Sequence, residues 1–219
     1  MATAEKIELL LRGGGRYDVE ILPELETYLE EQLSEGHYDI DANLAILKLY
    51  LLYPNENKVE VIQNILLKAL MAFPETHFAL CMYQIPQKYR DSLKDPIRLA
   101  QHLEMAKFKA FWKDAEVCEA LGKAKGWQDA VRQFVAGVVS STYRSIRSDQ
   151  LADLLNLPAG ELGPVVTKQG WTWSKDDSEL VIVREQAAFE SANVETKVQQ
   201  TSAMTLDMYR QLFVASTGA

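Results

Sequence analysis

His77 and Cys81 stand four residues apart in a helical pattern, so they share one helix face and could be two ligands of a metal ion. A structural zinc site takes four ligands. His37, His102 and Cys118 are scattered and supply no second close pair. A partly buried histidine beside a core thiol is the favoured reading. Cys118 has Lys113 and Lys123 in its vicinity but no local arrangement that marks an activated thiolate. Gly13-Gly14-Gly15-Arg16 has the look of a phosphate loop, yet it lacks the Gly-Lys-Ser/Thr ending and follows no strand, so it reads as a flexible joint between helices. The carboxylates between Glu24 and Glu35 have the spacing of a solvated helix face, not of an opposed catalytic pair. No Gly-x-Ser-x-Gly elbow and no His-Glu-x-x-His motif occurs. The expectation is a protein that is not an enzyme, with no catalytic, cofactor-binding or metal-binding residue.

The elements that would have to position any such chemistry are mostly helices. For about the first 145 residues the apolar side chains recur at helical spacing. Ile7, Leu10 and Leu11 mark a first helix. Leu22, Leu25, Tyr28, Leu29 and Leu33 form the stripe of a second, which Gly36 ends. Asp39 or Asp41 caps a third, apolar on most sides through Leu44, Ile46, Leu47, Leu49, Tyr50 and Leu52, and so expected to be central. Helices follow over 59–72 and 76–85. A polar loop runs from Pro86 to Asp95, Pro96 opens the next helix, and the pattern continues over 105–121 with Phe108, Phe111, Trp112 and Val117 inward. Trp127–Tyr143 is a strong helix carrying Val131, Phe134, Val135, Val138 and Val139. Successive helices with short turns and no fixed period predict an irregular HEAT-like stack.

The only β-pattern comes late. After Arg147 a helix over 150–155 and another over 158–169 precede a hairpin, Gly170-Trp171-Thr172-Trp173 and then Glu179-Leu180-Val181-Ile182-Val183. Three helices followed by a two-stranded wing is the order of a winged helix. The expected fold is therefore mostly α, a HEAT-like helical array followed by a C-terminal winged helix with a small β-hairpin. The expected division is a helical domain over 1–126, the winged helix over 127–186 and a tail over 187–219. Alternation puts Trp171 and Trp173 on one strand face, where core packing is favoured over base stacking. Leu151, Leu154, Leu155, Leu162, Val166, Trp171, Leu180 and Ile182 are the expected core of this unit.

A winged helix raises the question of nucleic acid. The chain has 219 residues, 47% hydrophobic and 25% charged, with a net charge of −8, which argues against a phosphate-backbone partner. The segment from Pro158 to Gln169 carries one glutamate and one lysine, with Gly163-Pro164 in its middle, and the wing turn sets Asp176 and Asp177 beside Lys175. Only Arg144 and Arg147, just ahead of the unit, form a basic pair. The surface suits protein contacts better than sequence-specific readout. Two cysteines imply no disulfide framework, the start is acidic and unlike a signal peptide, and no stretch reaches the length of a membrane span. A cytoplasmic protein is expected, with the nucleus also open. In the tail, Met204, Met208 and Leu212 recur at i, i+4, i+8 with Leu206, Tyr209 and Phe213 alongside, an amphipathic helix expected to pack against partners through Met204, Met208, Leu212 and Phe213.

The stretch from Tyr38 to Tyr50, YDIDANLAILKLY, followed by Pro54, resembles the subunit k family of eukaryotic translation initiation factor 3. So do Ile65–Leu70, Pro74, Phe78, Leu80 and Cys81, then Phe108–Trp112, Val131–Phe134, Val138-Val139, Thr142-Tyr143 and Gly170-Trp171. The resemblance runs from about Tyr17 to Val183, and departs at Gly13–Gly15, at Gly163-Pro164 and in the tail. It implies the HEAT-like plus winged-helix arrangement of the PCI group and a non-catalytic scaffold subunit of an initiation factor that brings messenger and initiator tRNA to the small ribosomal subunit. Its implied partners are the other subunits, chiefly subunit l, and through them the ribosome. It supplies no catalytic residue. PCI-type subunits of the proteasome lid or signalosome are the neighbouring alternative, and a nucleic-acid-binding winged helix is the alternative from another class.

Overall fold

The computed structural model describes residues 2–183 other than Gly13 and Asp176. Among these residues the chain forms ten α-helices and three short strands. The helical array comprises α1 (Ala2–Leu11), α2 (Leu22–Glu35), α3 (Ile40–Leu52), α4 (Val59–Met71), α5 (His77–Gln84), α6 (Lys94–Glu104) and α7 (Phe108–Val117). The winged helix is α8 (Trp127–Thr142), β1 (Ser145–Arg147), α9 (Ser148–Leu155), α10 (Leu162–Lys168), β2 (Thr172–Trp173) and β3 (Leu180–Ile182). The mostly α fold with a late winged helix is thus present as expected.

Local signals set the helix ends. Asp39 caps α3, its Oδ1 accepting the Ala42 amide at 3.1 Å. Gly36 closes α2 in the left-handed region, at φ 86°. The chain then turns from one helix onto the next, α2 against α3 and α4, and α5 against α3 and α4. The joint after α1 is tighter than a flexible linker. A Cβ on Gly15 would overlap the Leu10 carbonyl, so only glycine passes there, and residues Gly15–Tyr17 form a 3-10 turn. The expected stripe of α2 is buried throughout. Residues α3 and α4 bury on almost every side include Ile46, Leu47, Leu49, Ile62, Ile65, Leu66 and Leu67, all 1% exposed or less. These two helices are the centre of the array.

Several expectations need correction. The stretch 86–95 is not a loop, because Gln87–Leu93 forms a 3-10 helix with Leu93 buried. The stretch 105–121 is not continuous. Ala106 takes φ 53° and breaks the chain after α6, with the Lys107 amide returning to the His102 carbonyl at 2.8 Å. α7 buries Phe108, Phe111, Trp112 and Ala115 along one stripe, and Val117, opposite Phe108, is 78% exposed. Leu52 is also exposed, as the last residue of α3, although Leu49 and Tyr50 in the same turn are buried.

The wing sheet has three strands, not two. β3 lies in the middle, antiparallel to β1 and to β2, with Ile146 and Trp173 both opposite Val181. Ile146 and Val181 are buried, whereas Leu180 and Ile182 are only half-buried. The core phase of β3 is therefore one residue off the expected one, a shift that exchanges the two faces of a strand. Leu154 is likewise half-buried, while Leu151, Leu155, Leu162, Val166 and Trp171 are core as expected. Trp171 and Trp173 do not share a face. Gly170 turns the chain at φ 70°, and the Trp171 amide donates to the Val166 carbonyl at 2.9 Å. Trp171 thus caps α10 ahead of the strand, buries its ring and donates its indole N–H to Ser140 at 3.3 Å. Trp173 is 40% exposed.

Candidate partner-binding surface

The winged-helix surface can be built from its charges. α10 is the helix that a DNA reader would lay in the major groove. It buries Leu162 and Val166 and presents Pro164, Thr167 and Lys168 outward, with Glu161 just ahead of it. The Thr167 hydroxyl donates to its own helix, to the Gly163 carbonyl at 3.0 Å. Arg147 belongs to the unit, in β1, and is already clamped. Its Nε meets Asp149 at 3.2 Å and its Nη2 meets Glu179 at 3.2 Å. Hydrogen bonding and charge from Asp149, then the charge of Glu179, hold its guanidinium above the usual pKa. Of the expected basic pair, only Arg144 is left to meet a phosphate.

A polar joint fixes the winged helix to the array. The left-handed Asn156 ends α9 and leaves its last carbonyls bare. Trp112 of α7 donates its indole N–H to the Leu154 carbonyl at 2.8 Å. Arg132 of α8 donates from Nε to the Leu155 carbonyl at 3.2 Å and from Nη2 to the Asn156 carbonyl at 3.3 Å. Its guanidinium also lies 5.7 Å from the centre of the Trp112 ring. A cation against the negative end of a helix is the favourable arrangement. Lys109 adds an ion pair to Asp153 at 2.6 Å. Lys109, Trp112 and Arg132 fall in the family-like segments 108–112 and 131–134, and nothing in their spacing announced that they meet on one helix end.

Beside this joint the turn after α4 and the outer side of α8 enclose an open cavity of about 640 Å³. Met71, Phe73 and Pro74 line one wall, and Phe134, Gly137 and Val138 the other. Phe73 and Phe134 meet at 5.5 Å between ring centres. Among the described residues its only ionisable lining residue is Glu75. Such a cavity suits apolar side chains.

The residues first singled out for chemistry lie apart from it. Cys81 is fully buried, and burial pushes its thiol up to about 12, which keeps it protonated and inert. His77 lies against the Tyr38 ring at 5.6 Å. Cys118 is half-buried at the end of α7. Among the described residues no three of His, Cys, Asp and Glu gather as a ligand set, and no helix is long and apolar enough to cross a membrane. Met204, Met208, Leu212 and Phe213 lie outside the described residues.

Comparison with known proteins gives this geometry a family. The profile of the CSN8/PSMD8/EIF3K family matches residues 56–191. The chain belongs to the CSN8/PSMD8/EIF3K family. Among relatives, it is 34% identical over 204 residues to "Eukaryotic translation initiation factor 3 subunit K" of Nematostella vectensis, covering 91% of this chain and 94% of that one. It is 34% identical over 201 residues to the Homo sapiens protein of the same description, covering 90% and 92%. The Culex quinquefasciatus counterpart is 35% identical over 195 residues. The CSN8/PSMD8/EIF3K match takes in the second half of the array, the joint and the whole winged helix. The relatives' matches, over about nine-tenths of this chain, take in α2 and α3 as well, where the stretch from Tyr38 to Tyr50 builds the cap and the centre of the array.

Proposed function

We propose that the chain is a non-catalytic scaffold subunit of eukaryotic translation initiation factor 3. The observation that carries this reading is the similarity to proteins described as subunit K over about nine-tenths of both chains. The neutralised Arg147 on the winged-helix surface agrees with it. In this reading residues 1–126 form the helical domain and 127–186 the winged helix, and the tail over 187–219 contacts partners through Met204, Met208, Leu212 and Phe213. Subunit l is the chief partner. The small ribosomal subunit is reached through the complex, and the protein works in the cytoplasm, with a nuclear pool also compatible. Affinity isolation of the tagged chain from its source cell recovers the other subunits of that factor. Recovery of proteasome-lid or signalosome subunits in their place overturns the assignment.

A further inference from the structure

The outward side of α5 is apolar. Of its residues, Phe78 and Cys81 face the core. Met82, Ala79, Tyr83 and Leu80 follow one another around the rest of the helix at 3.6-residue spacing. Tyr83 is 87% exposed and Leu80 43%. Only His77 and Gln84 interrupt the apolar residues around α5, and an apolar face left this exposed is built for a cover.

The cover has a chemical signature. Met82 also lines a groove of about 470 Å³, together with Arg90, Lys94, Ile97, Arg98 and Gln101. The last four lie on one face of α6, and Met105, 58% exposed, follows Gln101 four residues on. Among the described residues no carboxylate lines the groove. Asp91 pairs with Lys94, and Asp95 and Asp114 with Arg98, from outside the lining. Arg90 is exposed and has no ion pair among the described residues. In a chain of net charge −8 the described lining of this groove is cationic, laid beside an apolar strip.

We infer that the α5–α6 groove docks an acidic amphipathic helix of another protein in the assembly, an inference that rests on the proposed subunit role. Met82, Ile97, Tyr83 and Met105 receive the apolar stripe of the incoming helix, at i, i+3 or i+4, and i+7. Arg90, Lys94 and Arg98 meet the carboxylates that flank that stripe, which sets its register. A nucleic-acid strand fits less well, because the strip beside these cations is apolar and gives a phosphate backbone nothing to pair with.

The full chain is titrated with two fluorescent amphipathic helical peptides of identical pattern, one built on Leu and Glu and the other on Leu and Lys. The Leu–Glu peptide binds, weakens as salt rises, and loses roughly tenfold in affinity to the double variant Arg90→Glu with Lys94→Glu and to Tyr83→Ala. The Leu–Lys peptide binds more weakly than the Leu–Glu peptide to the wild type and gains on the charge-reversing double variant. All three positions are solvent-facing, so the variants keep the wild-type melting temperature. No binding of the Leu–Glu peptide, or equal binding to the variants, overturns the inference. In the assembled complex, a photo-crosslinking residue at Tyr83 attaches to an acidic amphipathic segment of another subunit. Attachment to RNA, to a second copy of this chain or to a basic segment overturns it. A chain that fails to join the complex refutes the subunit role, and the peptide titration still decides the groove.

Discussion

Gln32, Asn43 and Lys68 are buried polar side chains in the middle of the array, and each is answered. Gln32 and Asn43 exchange two amide hydrogen bonds, at 3.1 and 3.2 Å, and the Gln32 side-chain oxygen also accepts the Asp39 amide at 2.9 Å. Lys68 donates to the Gln32 carbonyl at 3.0 Å, close to the end of α2. These bonds specify the register of α2, α3 and α4 in a way that apolar contacts do not. Asn43→Ala leaves the Gln32 amide buried and short of partners, and should cost about 1–3 kcal/mol in urea unfolding. The double change Gln32→Met with Asn43→Leu should cost less than the sum of the single changes, since both orphaned groups then disappear. Lys68 is 1% exposed, and desolvation lowers its pKa from 10.5. Between that lowered value and 10.5 the unfolded chain binds more protons than the folded one, so stability rises with pH in this window. Unfolding measured from neutral pH to 10.5 should show that rise in the wild type and lose it in Lys68→Met.

The decisive element contact is the capping of α9 by α7 and α8. Arg132→Ala removes two donors from carbonyls at the end of α9, and Trp112→Phe removes a third while keeping most of the ring. Each should cost about 1–3 kcal/mol, and hydrogen exchange should speed up in α9 before it does in α3 or α4. The wing gives a sharper test of phase. Val181→Ala should cost about 1.5–3 kcal/mol, because its side chain is wholly buried opposite Ile146. Leu155→Ala should cost about 2–5 kcal/mol in the same core. Trp173→Ala should stay within about 0.5 kcal/mol of wild type, its ring lying at the surface. A loss at Trp173 equal to that at Val181 would restore the alternate strand phase.

At the scale of the whole molecule, charge sets the choice of partner. With a net charge of −8 and Arg147 held between two carboxylates, the chain should bind duplex DNA and structured RNA weakly at physiological salt. Tight, steeply salt-dependent binding in an anisotropy titration would contradict that. The tail carries its own prediction. Met208→Asp with Leu212→Asp places charge on the apolar stripe proposed to meet partners, and should lower recovery of the chain with the factor's other subunits. Unchanged recovery would remove those residues from the interface.

Helical periodicity by itself determined the fold class, the stripe of α2, the central place of α3 and the presence of a late winged helix. These are properties of near neighbours in sequence, where spacing alone decides which side chains share a face. The segments from Tyr38 to Tyr50 and from Phe108 to Trp112 carried the family as well. Other features were settled by residues far apart in the chain. Ser145–Arg147 is too short to show alternation and becomes a strand only because β3 offers it an edge, and that pairing turns Val181 inward. Arg132 and Trp112 acquire their role from a helix end more than twenty residues downstream. The α5–α6 groove joins Met82 of α5 to Arg90 and to the Lys94 and Arg98 face of α6, a meeting that spacing within either helix does not show. A sequence records which faces are apolar, and only packing decides which of them remain uncovered.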